Sequence, residues 1–178
     1  MTNFEKAFTE LIGNEGGYKR DARDRMDWTS GVIGYGQLLG TKYGLSAGTY
    51  PNLDIPNLTL EQAQAIYKTQ WWDKFQGDAF PYELGFQVFD SEVNHGHGMG
   101  VKFLQRALGV KDDGIVGSIT LAEMAKHDDV RLTIRFLGIR MQFFTDCDTW
   151  ATHGRGWARR IAHNLILASN PEPEEPHE

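Results

Sequence analysis

The stretch "GNEGGYKRD", Gly13 to Asp21, sets one carboxylate, Glu15, directly after an apolar-periodic segment and before two glycines and an aromatic residue. Asp21, Asp24 and Asp27 follow within a polar loop that runs into the Gly-rich, apolar "VIGYGQ". Carboxylates grouped in this way can cleave a glycosidic bond. One protonates the leaving oxygen, and the other steadies positive charge on the sugar or activates water. Glu15 suits the acid role. It is expected at or just past a helix C-terminus, where the partial negative charge of the helix end disfavours an anion and tends to raise its pKa, as would burial against Tyr18 or a Trp.

The segment that positions Glu15 is a short amphipathic helix. Thr2 and Glu5 have capping-box spacing, Phe4, Phe8, Leu11 and Ile12 share one face, and Gly13, Gly16 and Gly17 offer left-handed termination. Most of the remaining chain also has helical periodicity. Leu132, Phe136, Leu137, Ile139, Arg140, Met141 and Phe143 mark a long helix, and Trp157, Ile161, Leu165 and Ile166 mark a last one. Residues 17–38 read as a loop or small hairpin.

Composition narrows the function classes. The 178 residues are 40% hydrophobic and 12% aromatic, as expected of a packed domain. The net charge is −6, but Glu172, Glu174, Glu175 and Glu178 supply four of the negative charges and leave the body nearly neutral. Such a body lacks the basic footprint of a nucleic-acid binder. Cys147 is the single cysteine, so no internal disulfide forms, which fits synthesis in a reducing cytoplasm. The start has no basic region followed by an apolar run, and no stretch approaches the length of a membrane span. The expectation is therefore a chain that is neither exported by its own leader nor anchored. The Pro/Glu run of residues 169–178 reads as a disordered acidic tail.

Longer blocks strengthen the carboxylate reading. The E-G-G-Y of Glu15 to Tyr18 resembles the signature of glycoside hydrolase family 108, the phage and bacterial N-acetylmuramidases. "AIYKTQWWDKFQGDAFPYELGFQVFDSEVNHG" is similar to that family's later blocks in order and spacing. "VKFLQRALGVKDDGIVGSIT" resembles the companion segment called peptidoglycan-binding type 3, and "GRGWARR" resembles the family's ending. The resemblance implies a mainly α, lysozyme-like, two-lobed fold with a small β-hairpin or irregular β segment near residues 17–38. It further implies a catalytic part at 1–98 and a helical peptidoglycan-binding-type part at 99–168, packed in one globular unit.

The resemblance makes Glu15 the catalytic acid of an enzyme that cleaves the β-1,4 bond between N-acetylmuramic acid and N-acetylglucosamine. Phage-type lysozymes share E-x8-D-x5-T, and Glu15, Asp24 and Ser30 stand at those intervals. This makes Asp24 and Ser30 its catalytic partners, with the Ser30 hydroxyl holding a water. The family's Pro-Gly-Gly run after the Asp is absent, so Thr29 is an alternative hydroxyl, as Asp21 and Asp27 are alternative carboxylates and helix capping an alternative role for Asp24.

Tyr18, Trp28, Asp90 and Asn94 are the expected substrate contacts. Trp28 is the Trp placed in the polar loop, and Asn94 can either bond an N-acetyl group or cap its helix. His95 and His97 have no third ligand at a recognised metal spacing, so neither metal nor organic cofactor is expected. The expected partner is the glycan strand of peptidoglycan, engaged by a monomer. The biological role implied is a phage endolysin, held in the host cytoplasm and released to the wall in the periplasm when the inner membrane is permeabilised.

Overall fold

The computed structural model describes residues 1–13 and 17–169. The chain divides into two compact units, Met1–Gln70 and Trp71–Glu178. The division falls within a π-helical turn, Lys68–Trp72, upstream of the boundary at 98/99 that the motif blocks suggested.

In the first unit, α1 (Asn3–Ile12) begins with the expected capping box. Thr2 Oγ1 accepts from the Glu5 amide at 3.2 Å, and Glu5 Oε2 accepts from the Thr2 amide at 2.7 Å. Phe4, Ala7 and Phe8 are its buried face, and Gly13 caps its end. Helix α2 (Leu60–Tyr67) carries a second capping box, Thr59 with Gln62. Its Tyr67 ring lies 5.6 Å from Phe8. The Tyr67 hydroxyl donates to the Tyr43 carbonyl at 3.2 Å.

That carbonyl belongs to a hairpin formed by β1 (Thr41–Lys42) and β2 (Leu45–Ser46), antiparallel with Thr41 opposite Ser46 and Lys42 opposite Leu45. Tyr43 and Gly44, the two turn residues, both have positive φ, 51° and 76°. A two-residue hairpin turn of this hand matches the strand twist. The hairpin lies just past residues 17–38, the stretch near which a small hairpin or an irregular β segment was expected. Residues 17–38 contribute only isolated bridges, Lys19 with Thr41 and Trp28 with Leu38, because side-chain bonds rather than a ladder organise that loop.

The second unit is helical: α3 (Tyr82–His95), α4 (Met99–Leu108), α5 (Ser118–Met124), α6 (Asp129–Thr145) and α7 (Trp150–Ser169). The mainly α class expected from the sequence holds. The fully buried Trp72 donates its indole N–H to Asp78 at 2.7 Å, and its ring lies where a Cβ on Gly77 would stand, 2.3 Å away. Phe103, Phe136, Phe144, Leu104, Leu132 and Leu137 fill the core.

Helix α7 departs from expectation. It buries Gly154, Ile161, Asn164 and Ala168 and leaves Leu165 and Ile166 exposed. The buried face is turned so that a polar residue, Asn164, points inward, where it serves Asp90. Ser169, assigned from sequence to the tail, is the last residue of α7, and the rest of the expected tail lies outside the described residues. No helix among the described residues is long and apolar enough to cross a membrane.

Candidate active site

Glu15 lies outside the described residues, but both limbs that flank it are held. On one side α1 ends at Gly13, whose amide donates to the Thr9 carbonyl. On the other, Lys19 exchanges two 2.8 Å backbone bonds with Thr41. Tyr18 is 40% exposed and packs over Gly40, where an added Cβ would stand 2.9 Å from the ring and 2.3 Å from the Lys19 carbonyl. Gly40 also has φ +79°. Only glycine meets both demands, a left-handed backbone and no room for a side chain.

The three aspartates that follow are separated by their partners. Asp27 is buried and works as a knot. One carboxylate oxygen accepts from the Asp21 amide at 2.6 Å, the other from the Thr41 hydroxyl at 2.7 Å, and its carbonyl accepts from the amides of Leu39 and Gly40. Asp21 forms a two-pronged pair with Arg23, at 3.0 and 2.9 Å, whose hydrogen bonds hold its pKa down to about 2. A carboxylate so held is a poor proton acceptor.

Asp24 is exposed. One of its oxygens accepts from the Met26 amide at 2.9 Å, capping a short 3-10 turn, Arg25–Asp27. Its other oxygen has no partner among the described residues. Asp24 lines an open hollow of about 610 Å³ with Asp21, Arg23, Arg25 and Ile33. The capping alternative is thus met by one oxygen of Asp24 and does not occupy the other.

Ser30 is placed otherwise than expected. Its hydroxyl donates to the Tyr35 carbonyl at 2.8 Å, with the Val32 carbonyl at 3.2 Å, and accepts from the Val32 amide at 3.1 Å. Its single proton is committed, so it builds the turn rather than donating to a water. Thr29 accepts from the Gln37 amide at 2.9 Å and braces the same turn. Trp28 is half-buried, with its indole N–H donated to the Ala22 carbonyl at 3.0 Å, and it does not line the hollow. The most exposed aromatic ring of this loop is instead Tyr35, at 70%.

The two expected contacts on α3 also part ways. Asp90 is buried, and both its oxygens are engaged. Arg140 and Asn164 (3.1 Å) donate to one, and Arg160 donates to the other at 2.7 Å. This corrects the expectation of a sugar contact, because the carboxylate is the counter-ion of Arg140, whose side chain is fully buried. Asn94 is exposed on the last turn of α3, where the cap is Gly96.

The histidines have separate surroundings. His95 accepts from Arg140 Nε at 3.2 Å, and burial, with the Arg140 charge, pushes its pKa down to about 4. His97 stacks on Trp71 at 4.0 Å. No group of three or more His, Cys, Asp or Glu suited to a metal occurs among the described residues.

Glu92 is the residue that sequence reasoning passed over. It is buried in a hollow of about 250 Å³ lined also by Lys74, Phe75 and His97. Its two oxygens accept from the amides of Gly98, at 2.7 Å, and Val101, at 3.0 Å. Burial raises its pKa against those amides. Glu92 thus closes the corner between α3 and α4 by capping α4 from a distance, a role signalled only by the absence of any capping side chain at Gly98.

Comparison with known proteins follows the same residues. The glycosyl hydrolase 108 family model matches residues 8–96, half of the chain, from α1 through Glu15 and the aspartate loop to the end of α3. The structure of Brucella abortus SagA is similar at 26% identity and a TM-score of 0.75, covering 93% of this chain and 92% of that one. No curated protein matches the sequence. With an aspartate loop that keeps one partly free carboxylate on an open hollow, and with the family match spanning that loop, the chain belongs to glycosyl hydrolase family 108, a glycoside hydrolase acting on peptidoglycan.

Proposed function

We propose that the chain is an N-acetylmuramidase that hydrolyses the β-1,4 bond between N-acetylmuramic acid and N-acetylglucosamine. Glu15 is the general acid. Asp24 is the carboxylate that orients water or offsets positive charge at the anomeric carbon. One observation supports this division of roles above the rest. Of three neighbouring aspartates, Asp27 is knotted and Asp21 is paired, whereas Asp24 keeps an oxygen without a described partner on an open hollow. Residues 99–168 act as the part that contacts peptidoglycan, supported by the hollow of about 240 Å³ beside Gln105, Asp113 and Thr120, whose lining includes the exposed Ile115 and Ile119. The biological role is that of a phage endolysin, held in the host cytoplasm and acting on the wall from the periplasm.

Mass spectrometry of the products from purified peptidoglycan tests the reading. Hydrolysis at muramic acid leaves reducing N-acetylmuramic ends. Anhydro ends would instead identify a lytic transglycosylase, and free stem peptides an amidase or peptidase. Glu15→Gln is expected to reduce release by about a hundredfold or more with an unchanged circular dichroism spectrum. Full activity in that variant would remove Glu15 from the acid role, and no products from the wild type would leave a wall-binding module.

A further inference from the structure

The turn Gly31–Gly36 displays large apolar side chains that the described residues leave mostly uncovered. Val32 and Ile33 are each 53% exposed and Tyr35 is 70% exposed, three large apolar residues within four positions. A flexible loop would hide them or shed them. This one is braced instead.

Gly31, Gly34 and Gly36 hold φ of 68°, 81° and 76°. An added Cβ on Gly36 would lie 2.5 Å from the Thr29 hydroxyl. The Gly31 amide donates to the Trp28 carbonyl at 2.8 Å, and the Tyr35 amide to the Val32 carbonyl at 3.1 Å. The Ser30 and Thr29 hydroxyls tie the turn across its base. Both hydroxyls that the sequence suggested for catalysis serve to hold this tip in shape. A rigid apolar tip loses little conformational freedom when a ligand meets it, which is the condition for a binding platform.

What it meets is set by its neighbour. Ile33 lines the same hollow as Asp21, Arg23, Asp24 and Arg25. A ligand that crosses from that hollow onto the tip must offer polar groups to the charged side and an apolar face to the tip. A pyranose does both, with hydroxyls around its rim and C–H bonds on its face. A lipid bilayer fits poorly, since insertion of the tip would carry four charged side chains of balanced sign, Asp21, Arg23, Asp24 and Arg25, to the lipid surface.

We propose that the Gly31–Gly36 turn is a sugar platform, with the Tyr35 ring stacking on a pyranose of the glycan strand next to the one held beside Asp24, and Ile33 completing its apolar floor. The platform rests on the reading of the hollow as the glycan site. It sets how long a glycan must be to bind well, and Tyr35 takes no part in bond cleavage.

The test measures kcat and KM on soluble glycan strands freed of stem peptides, by release of reducing ends. The wild type is compared with Tyr35→Ala, Tyr35→Phe and the control Ile134→Ser, an apolar position in the second unit as exposed as Ile33. Tyr35→Ala is expected to raise KM about three- to twelvefold with kcat within about twofold. Tyr35→Phe restores KM, Ile134→Ser leaves it unchanged, and all melt with the wild type.

An active wild type with an unchanged KM in Tyr35→Ala overturns the platform and leaves the hydrolase standing. A wild type that releases no reducing ends overturns the hydrolase reading itself. Co-sedimentation with phosphatidylethanolamine–phosphatidylglycerol vesicles, lost in Tyr35→Ala while KM stays constant, would make the tip a lipid contact and also overturn the platform.

Discussion

Asp90→Asn separates a structural carboxylate from a substrate ligand. Arg140 is fully buried, and Asp90 is its counter-ion. The Arg140 Nη2 atom has no partner among the described residues, so the guanidinium has no second carboxylate to turn to. The neutral amide leaves a buried cation uncompensated, at a cost of about 3–5 kcal/mol. With a urea m-value of about 1–3 kcal/mol/M, the unfolding midpoint falls by roughly 1–5 M. In a unit of this size the melting temperature falls on the order of 10–30 °C.

Arg160→Ala removes the other cation, whose side chain is 40% exposed, and is expected to cost under about 1 kcal/mol. Arg140→Met added to Asp90→Asn recovers more than half of the loss, because the uncompensated charge goes with it. Urea titrations followed by circular dichroism at pH 7 read the stability. Reducing-end release at 10–15 °C, where Asp90→Asn remains folded, reads the activity. An Asp90→Asn variant with an unmoved midpoint and lost turnover would refute the reasoning and return Asp90 to the substrate.

Other perturbations address the loop and the pH response. Asp24→Asn is expected to lower kcat at least about tenfold, and Asp21→Asn less than about threefold, because Asp21 is already paired with Arg23; equal losses in a parallel rate assay would count against the assignment. Gly40→Ala meets a left-handed backbone and the Lys19 carbonyl at 2.3 Å, so it should cost roughly 2–4 kcal/mol in denaturant unfolding and loosen the limb that leads out of Glu15; a shift below about 1 kcal/mol would show that the limb yields freely. His95 has its pKa pushed from the ordinary 6.5 to about 4, so between those values the unfolded chain takes up a proton that the folded chain refuses. Its contribution is intact above about pH 6.5 and declines as pH falls toward 4, by about 1–2 kcal/mol after discounting for partial exposure. Urea midpoints of the wild type and His95→Gln at pH 7, 5.5 and 4 should therefore converge toward low pH, and a constant gap would contradict it.

Local spacing was enough for some features. The Thr2–Glu5 cap, the Phe4–Phe8 face and the length of α6 follow from contacts within a few residues, which periodicity and capping chemistry encode directly. The aspartate cluster was visible as a cluster. Which member stays open was not, because it depends on atoms brought from elsewhere: the Thr41 hydroxyl lies 14 positions from Asp27 and engages it, while among the described residues the Asp24 carboxylate bonds its near neighbour Met26 alone. The Ser30 hydroxyl looked catalytic by interval and proved to be a brace, since its acceptor is a carbonyl made available by the positive-φ glycines of the turn. The longest distances decided the most. Asp90, Arg140, Arg160 and Asn164 are separated by 50 to 74 positions from Asp90 outward, and only helix packing turns them into one charged cluster. The same packing turns α7 so that Asn164 faces inward and Leu165 faces water, which its hydrophobicity pattern does not convey. A sequence specifies which polar groups exist and which local bonds they can form. The fold decides which of them lose access to water, and that loss determines whether a carboxylate serves as a counter-ion or remains open to a substrate.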